Sequence, residues 1–286
     1  MQDKHIKKEW EQLLCAEQNF LNRNMPKRTA GWQEKVAKYV PAKLEDTLNI
    51  AFFKAFELIF DKGTAVIEKT YQKEKKEQNY KINAYAADVR NTRRSLRAFG
   101  REANVSRGFN MAVSTVEGVG MGVLGVGIPD IPVFIGVLLK SIYEIALSYG
   151  FSYESEEEQI FILKLIETAL SHEEMLAEGN MELNLWMQGK RRDTAVSENG
   201  EHCEVEVEQP GVGETAARAF EITRSDQIRR TADALSNELL YLKFVQGIPV
   251  VGVVGGLSDM VYQKKISDYA AIKYRRRFLE MRRAHE

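Results

Sequence analysis

An all-α fold, built as a single multi-helix domain, is what this sequence predicts, and three observations carry the prediction. Apolar residues recur at three- and four-residue spacing along nearly every long segment, the period of a helix with one buried face. Only six prolines interrupt the 286 residues. Runs that alternate apolar and polar residues, the mark of a half-buried strand, are almost missing. With 44% hydrophobic and 28% charged residues the chain has ordinary globular composition. At this length roughly three quarters of the chain surface can be buried. The reading divides into N-terminal amphipathic helices at 1–101, glycine-rich central helices at 102–188, a polar acidic loop at 189–213 and C-terminal helices at 214–286.

The elements follow in order. Residues 3–22 place Trp10, Leu13, Leu14 and Phe20 on a first helix. Pro41 opens a second, at the position where its missing N–H is harmless, and Leu44, Leu48, Ala51, Ala55 and Ile59 share one stripe of it. Gly63 is expected to break that pattern before "TAVIEKTYQKEKK" resumes it, and residues 80–101 read as one further helix. A helix from about 104 is expected to end near Gly127, because Pro129 cannot continue it. Asp130 then stands as N-cap of the next helix, with Pro132 in the first turn and Gly150 as the C-terminal cap. Ser155 and Glu158 have the spacing of a capping box opening a helix to about Leu185. Residues 189–213 read as a surface loop with a short strand at "CEVEVE", and the last helices as 214–246 and 249–284.

Two segments are unusually apolar and glycine-rich: "GVGMGVLGVGIPDIPVFIGVLL" at 118–139 and "FVQGIPVVGVVGGL" at 244–257. Gly118 and Gly122, and Gly252 and Gly256, have the small-xxx-small spacing that lets helix backbones approach closely, and the two segments are expected to pack as a buried pair. Residues 119–139 also have the length of a membrane span, but a central Asp130 would cost roughly 2.5–3.5 kcal/mol there. Shallow insertion is therefore the alternative to a buried pair.

Catalytic and ligand motifs fail on context. "GMGVLG" at 120–125 fits G-x-G-x-x-G, yet "IPDIP" interrupts the helix that must follow. No phosphate-binding loop and no G-x-S-x-G elbow are present. "SHEEM" at 171–175 lacks the second histidine of a zinc-protease motif, so His172 and Glu173 read as helix surface. His202 beside Cys203 supplies only two metal ligands, and two cysteines in all point to a reducing compartment. The charged start "MQDKHIKKEWEQLL" does not read as a signal peptide. No catalytic residue, metal or cofactor is expected.

Charge is nearly balanced at −1 but segregated along the chain. Between 90 and 107 stand six arginines and one acid, and Arg90, Arg94, Arg97 and Arg101 share a helical face. Segment 264–286, with Arg275, Arg276 and Arg277, carries eight Lys or Arg against three acids. These faces suit either an anionic surface or internal ion pairs with acidic segments such as Glu154 to Glu158. Without a recognition module or an aromatic platform, nucleic acid is not the expected partner.

Three blocks carry a resemblance: "VPAKLEDTLNIAFFKAFELIFDKGTAVIEKTY" at 40–71, "GVGIPDIPVFIGVLLKSIYEIALSYGFSYESEEEQIFIL" at 125–163, and "IPVVGVVGGLSDMVYQKKISDYAAIKYRRRFLE" at 248–280. Together the sequence resembles the EcsC family over most of its length. Asp130, Tyr149 and Gly150 match the family motif, and Pro129, Pro132, Pro249, Gly252 and Gly256 fall in the matching blocks. Leu257-Ser258-Asp259 departs from the Asn that many relatives place after the glycine pair. The resemblance implies a bacterial protein without an established activity or catalytic residues, associated by gene context with an ABC-type exporter. The combined expectation is a non-enzymatic helical protein at the cytoplasmic membrane face or on a membrane-protein partner. The alternatives are a hydrolase using Asp130 or Glu117, or a soluble carrier with a hydrophobic ligand between the glycine-rich helices.

Overall fold

The computed structural model describes residues 2–25, 42–68, 71–89, 92–104, 130–199, 222–246 and 257–284. Among these residues no strand occurs, and the fold is all-α. In chain order the helices are α1 (Gln2–Asn24), α2 (Ala42–Leu58), α3 (Thr64–Glu68), α4 (Lys73–Val89), α5 (93–104), α6 (Asp130–Ser148), α7 (Glu156–Leu170), α8 (Glu173–Asn199), α9 (Arg224–Gln246) and α10 (Leu257–Ala284).

α6 is the centre. Its Ile135, Leu138, Leu139, Ile142, Ile145 and Ala146 are fully buried, and α2, α4 and α10 pack around it. Among the described residues it is the helix long and apolar enough to cross a membrane, yet 67% of the window Ile131–Ser148 is buried inside the fold. α9 lies against α2 and α7, α10 against α6, α7 and α1, and α8 against α7 and α1. The stripe foreseen on α2 is the buried one, with Leu48, Ala55 and Ile59 joined by Phe52 and Phe56. On α1 the core face is Ile6, Leu13 and Phe20, whereas Leu14 points outward.

Several boundaries differ from the sequence expectation, each for a local reason. Gly63 does not stop the helix. The backbone passes through a π-helical turn at Ile59–Gly63 and runs on into α3. The segment 80–101 is two helices, α4 and α5, because Thr92 and Ser95 form a reciprocal cap. The Ser95 amide donates to Thr92 Oγ1 at 3.3 Å, and the Thr92 amide donates to Ser95 Oγ at 3.1 Å.

The helix expected from 155 to about 185 breaks at Ser171–His172. There Ser171 Oγ donates back to the Glu167 carbonyl at 2.9 Å, a side-chain bond that competes with the helix ladder, and Glu173 adopts φ +50°. After the break α8 runs to Asn199, so residues 189–199 are helical and not loop. Gly189 alone is a weak breaker, costing about 1 kcal/mol, and no proline follows it there. Residues 200–213 with "CEVEVE", residues 118–129 and 247–256 of the two glycine-rich segments expected to pair, and the site residues Arg90, Pro129, Pro249, Gly252 and Gly256 lie outside the described residues. α6 begins with Asp130 as its first residue; the Asp130 side chain, and with it the expected cap bond, lies outside the described residues.

Two caps fall where the sequence reading places them. Ser155 Oγ accepts the Glu158 amide at 3.2 Å and opens α7. At the end of α6 the Phe151 amide donates to the Ala146 carbonyl and the Gly150 amide to the Leu147 carbonyl, both at 3.0 Å, the paired bonds of a Schellman cap. Gly150 sits at φ +84°, and a Cβ there would lie 2.2 Å from the Tyr80 ring. Both the left-handed backbone and the close ring require glycine at this position.

Candidate functional site

Three helices leave a groove of about 710 Å³ between them. α1 contributes Glu9, Leu13, Ala16, Phe20 and Arg23, spaced four and three residues apart on one face. α5 contributes Leu96, Arg97, Gly100 and Arg101, and α10 contributes residues from Val261 to Leu279, among them Lys264, Lys265, Asp268, Arg275 and Phe278. Tyr149, held by the Schellman cap that ends α6, reaches the same groove, with its hydroxyl 3.4 Å from where a Cβ on Gly100 would stand. Leu13, Leu96, Tyr149, Phe278 and Leu279 are buried and form an apolar floor.

The polar part of the groove is organised by Glu9, a carboxylate only 2% exposed. Its Oε1 accepts Arg93 Nε at 3.2 Å and Arg97 Nε at 3.0 Å, and its Oε2 accepts Arg275 Nη2 at 2.6 Å. Arg97 also donates to Gln12 Oε1 at 2.7 Å. Two basic segments remote in sequence thus meet on one acid. Around the rim stand Arg23, Arg97, Arg101, Lys264, Lys265 and Arg275, against only Glu9 and Asp268. Lys264 pairs with Asp268. Arg101 makes a long 3.4 Å bond to the Arg94 carbonyl, and Arg94 itself is exposed on α5.

The other basic residues singled out by the sequence do different work. Arg276 Nη1 meets Glu17 Oε2 at 2.6 Å and its Nε meets Glu280 at 3.0 Å. Arg277 binds both oxygens of Glu158, at 2.8 and 2.7 Å, and lies against the rings of Phe151 and Phe161. This contact explains why the capping box is only half made: the Glu158 side chain, also taking the Tyr274 hydroxyl at 2.7 Å, faces the core and not the Ser155 amide. His172 is not free helix surface, since its Nε2 pairs with Glu238 on α9. Pro132 lies exposed in the first turn of α6.

Chemically these clusters are closed. Glu17 is held below the usual carboxylate range: burial pushes it up, and the charges of Lys273 and Arg276 more than reverse that. A third cluster joins Tyr153, whose hydroxyl donates to Glu68 at 2.6 Å, with Tyr71 2.5 Å away and Lys73 bridging Glu68 and Glu154. Burial drives the Tyr71, Tyr143 and Tyr153 hydroxyls well above the ordinary phenol value, so they stay protonated. A general acid or base needs a pKa near the working pH, and Glu17 and the three tyrosines are moved away from it. Lys273 is pushed by burial down to about 8, but its side chain is 0% exposed and its donors are taken by Glu17, Asn180 and Asn184.

Sequence reasoning found Arg97, Arg101 and Arg275 but missed Glu9, the acid that gathers Arg97 and Arg275. The signal was present. Ile6, Glu9, Leu13, Glu17 and Phe20 repeat at three and four, so two carboxylates sit on the apolar face of an amphipathic helix.

Compared with curated proteins and with solved structures, the chain finds no match. The family model of the EcsC protein family matches residues 4–279, a span that runs through every helix described above and every residue of the groove. Matched over nearly its whole length, the chain belongs to the EcsC protein family.

Proposed function

We propose that this EcsC-family chain is a non-enzymatic helical protein that acts at the cytoplasmic face of the membrane and binds its anionic surface through the basic groove. The observation that carries this reading is the convergence of two separate basic segments on one groove whose rim holds six cations and two carboxylates over an apolar floor. The surplus of roughly four charges, at about 1 kcal/mol each near an anionic surface, amounts to on the order of 4 kcal/mol. That corresponds to an affinity of roughly millimolar, which is reversible attachment without an inserted helix. The central α6, buried in the fold, is not needed for it. An ABC-type exporter, implied by the family resemblance, is the membrane neighbour such a protein would serve. The enzyme alternative draws little support, because the converging ionisable groups are carboxylates already saturated by cations.

Co-sedimentation of the full chain with vesicles tests the reading. Binding is expected to vesicles containing phosphatidylglycerol and not to pure phosphatidylcholine. It should vanish between about 0.1 M and 1 M salt, as the screening length falls from about 10 to 3 Å. Protein that stays in the supernatant with anionic vesicles at low salt would overturn the proposal.

A further inference from the structure

We infer that the groove holds one anionic single-chain amphiphile, its acyl chain along the apolar floor and its headgroup against Arg23 and Arg101. The inference rests on the membrane-surface reading and goes further, from a charged face to a bound molecule. A flat electrostatic surface needs no trough, yet here the cations stand over one. Glu9 and Arg23 lie fourteen residues apart along α1, which at 1.5 Å per residue gives the trough about 21 Å of length. One leaflet of a bilayer, half of a hydrocarbon core of about 30 Å, is about 15 Å deep, so a single acyl chain fits lengthwise. The volume of about 710 Å³ lies within the range of roughly 300–1,000 Å³ typical of small-molecule sites.

Charge places the head. At the Glu9 end Arg97 and Arg275 are already turned onto the carboxylate. Arg23 and Arg101 line the same groove with no carboxylate partner among the described residues. A guanidinium recognises phosphate or carboxylate oxygens through paired N–H donors. The chemistry that fits is therefore one acyl chain ending in an anionic head, drawn from the membrane lipid.

Equilibrium dialysis of the full chain with monomeric oleoyl lysophosphatidate, oleate, neutral oleoyl lysophosphatidylcholine and inorganic phosphate tests this. One equivalent of lysophosphatidate or oleate is expected to bind, at least tenfold more tightly than the neutral lipid or phosphate alone. Ala16→Phe and, independently, Gly100→Leu should each reduce that binding about tenfold by filling the trough. Circular dichroism checks that each variant is folded; a Cβ at Gly100 would meet the Tyr149 hydroxyl at 3.4 Å, contact distance without overlap. Arg101→Glu should weaken the anionic lipids and leave the neutral one unchanged. Equal binding of neutral and anionic lipids, or unchanged binding in both folded filling variants, overturns the inference. So does wild type that sediments with anionic vesicles but takes up no monomeric amphiphile, and in that case the membrane-surface reading stands. Uptake of the amphiphile without vesicle binding instead removes the membrane-surface reading and keeps the ligand. No binding of either kind means that the groove is filled by the chain itself, and both fall.

Discussion

Glu9 and Glu17 stand eight positions apart on the buried face of α1, and both take cations from α10. Their surroundings are opposite. Glu17 is enclosed: Lys273 Nζ lies 2.5 Å away with a side chain 0% exposed, and Arg276 closes the other oxygen. Lys273 spends its remaining donors on Asn180 Oδ1 at 2.6 Å and Asn184 Oδ1 at 2.7 Å, so every charge ends inside the protein. Glu9 is equally buried, but its three arginines have side chains 27–46% exposed and open onto the groove. The difference follows from helix geometry. Arg275, Arg276 and Arg277 are consecutive, so each is turned about 100° from the last, and they reach three different acids: Glu9, Glu17 and Glu158. One sequence run of like charge is thus divided among two structural locks and one surface.

The largest effect that separates the two sites is on stability. Lys273→Met removes one partner of an enclosed pair and leaves Glu17 facing the core with Arg276 as its remaining cation beside the Asn184 amide. The expected loss is about 3–5 kcal/mol by chemical denaturation. Adding Glu17→Leu to the same chain should recover part of that loss, since the buried carboxylate that lost one of its two cations is then gone. A loss under about 1 kcal/mol for Lys273→Met would mean that the Glu17 site is as open to water as the Glu9 site.

A second test uses protons in place of mutations. Burial pushes Lys273 down to about 8, with Glu17 and Glu280 opposing and Arg276 assisting. The unfolded chain keeps this proton to about 10.4, so between pH 8 and 10 the unfolded state binds more protons and stability rises with pH. At about 1.4 kcal/mol per unit the gain is on the order of 2–3 kcal/mol. Above pH 10 the buried Tyr269 and Tyr274, pushed up by their burial, reverse the trend, because the unfolded phenols then lose protons first. Wild type should show the rise in urea melts, and Lys273→Met should not.

How much of this was legible from residues alone depends on whether the cause was local. Helices, the Ser155 cap and the Gly150 turn were readable because each is decided within a few residues. The Thr92–Ser95 box was equally local, and went unread because Ser replaces the usual Glu at its third position. The break at Ser171 was harder: it pairs a side-chain bond with a left-handed Glu173, which no propensity announces. The basic segments were readable as charge, but their division was not. Which arginine meets which acid depends on how α1 lies against α10, a packing of residues more than 250 positions apart. The groove belongs to that same long-range packing.

The smallest effect is the most direct probe of the contrast. Glu9→Gln keeps the shape of the side chain and removes its charge. Its arginine partners are partly hydrated, so the stability loss should be about 1–2 kcal/mol, below that at Lys273, in keeping with a hydrogen bond to a charged group and not with a stranded buried ion. At the groove the change has the opposite sign. Arg93, Arg97 and Arg275 lose the carboxylate that neutralises them, and the rim gains one net positive charge. If that charge contributes about 1 kcal/mol toward an anionic surface, binding to phosphatidylglycerol vesicles should tighten roughly fivefold and persist to higher salt. A variant less stable yet better bound is hard to obtain from general damage to the fold, so this pairing isolates the electrostatics. Should Glu9→Gln bind vesicles more weakly while remaining folded, Glu9 would be positioning its arginines in the way that Glu17 positions Lys273. The two carboxylates would then do the same structural work at different depths.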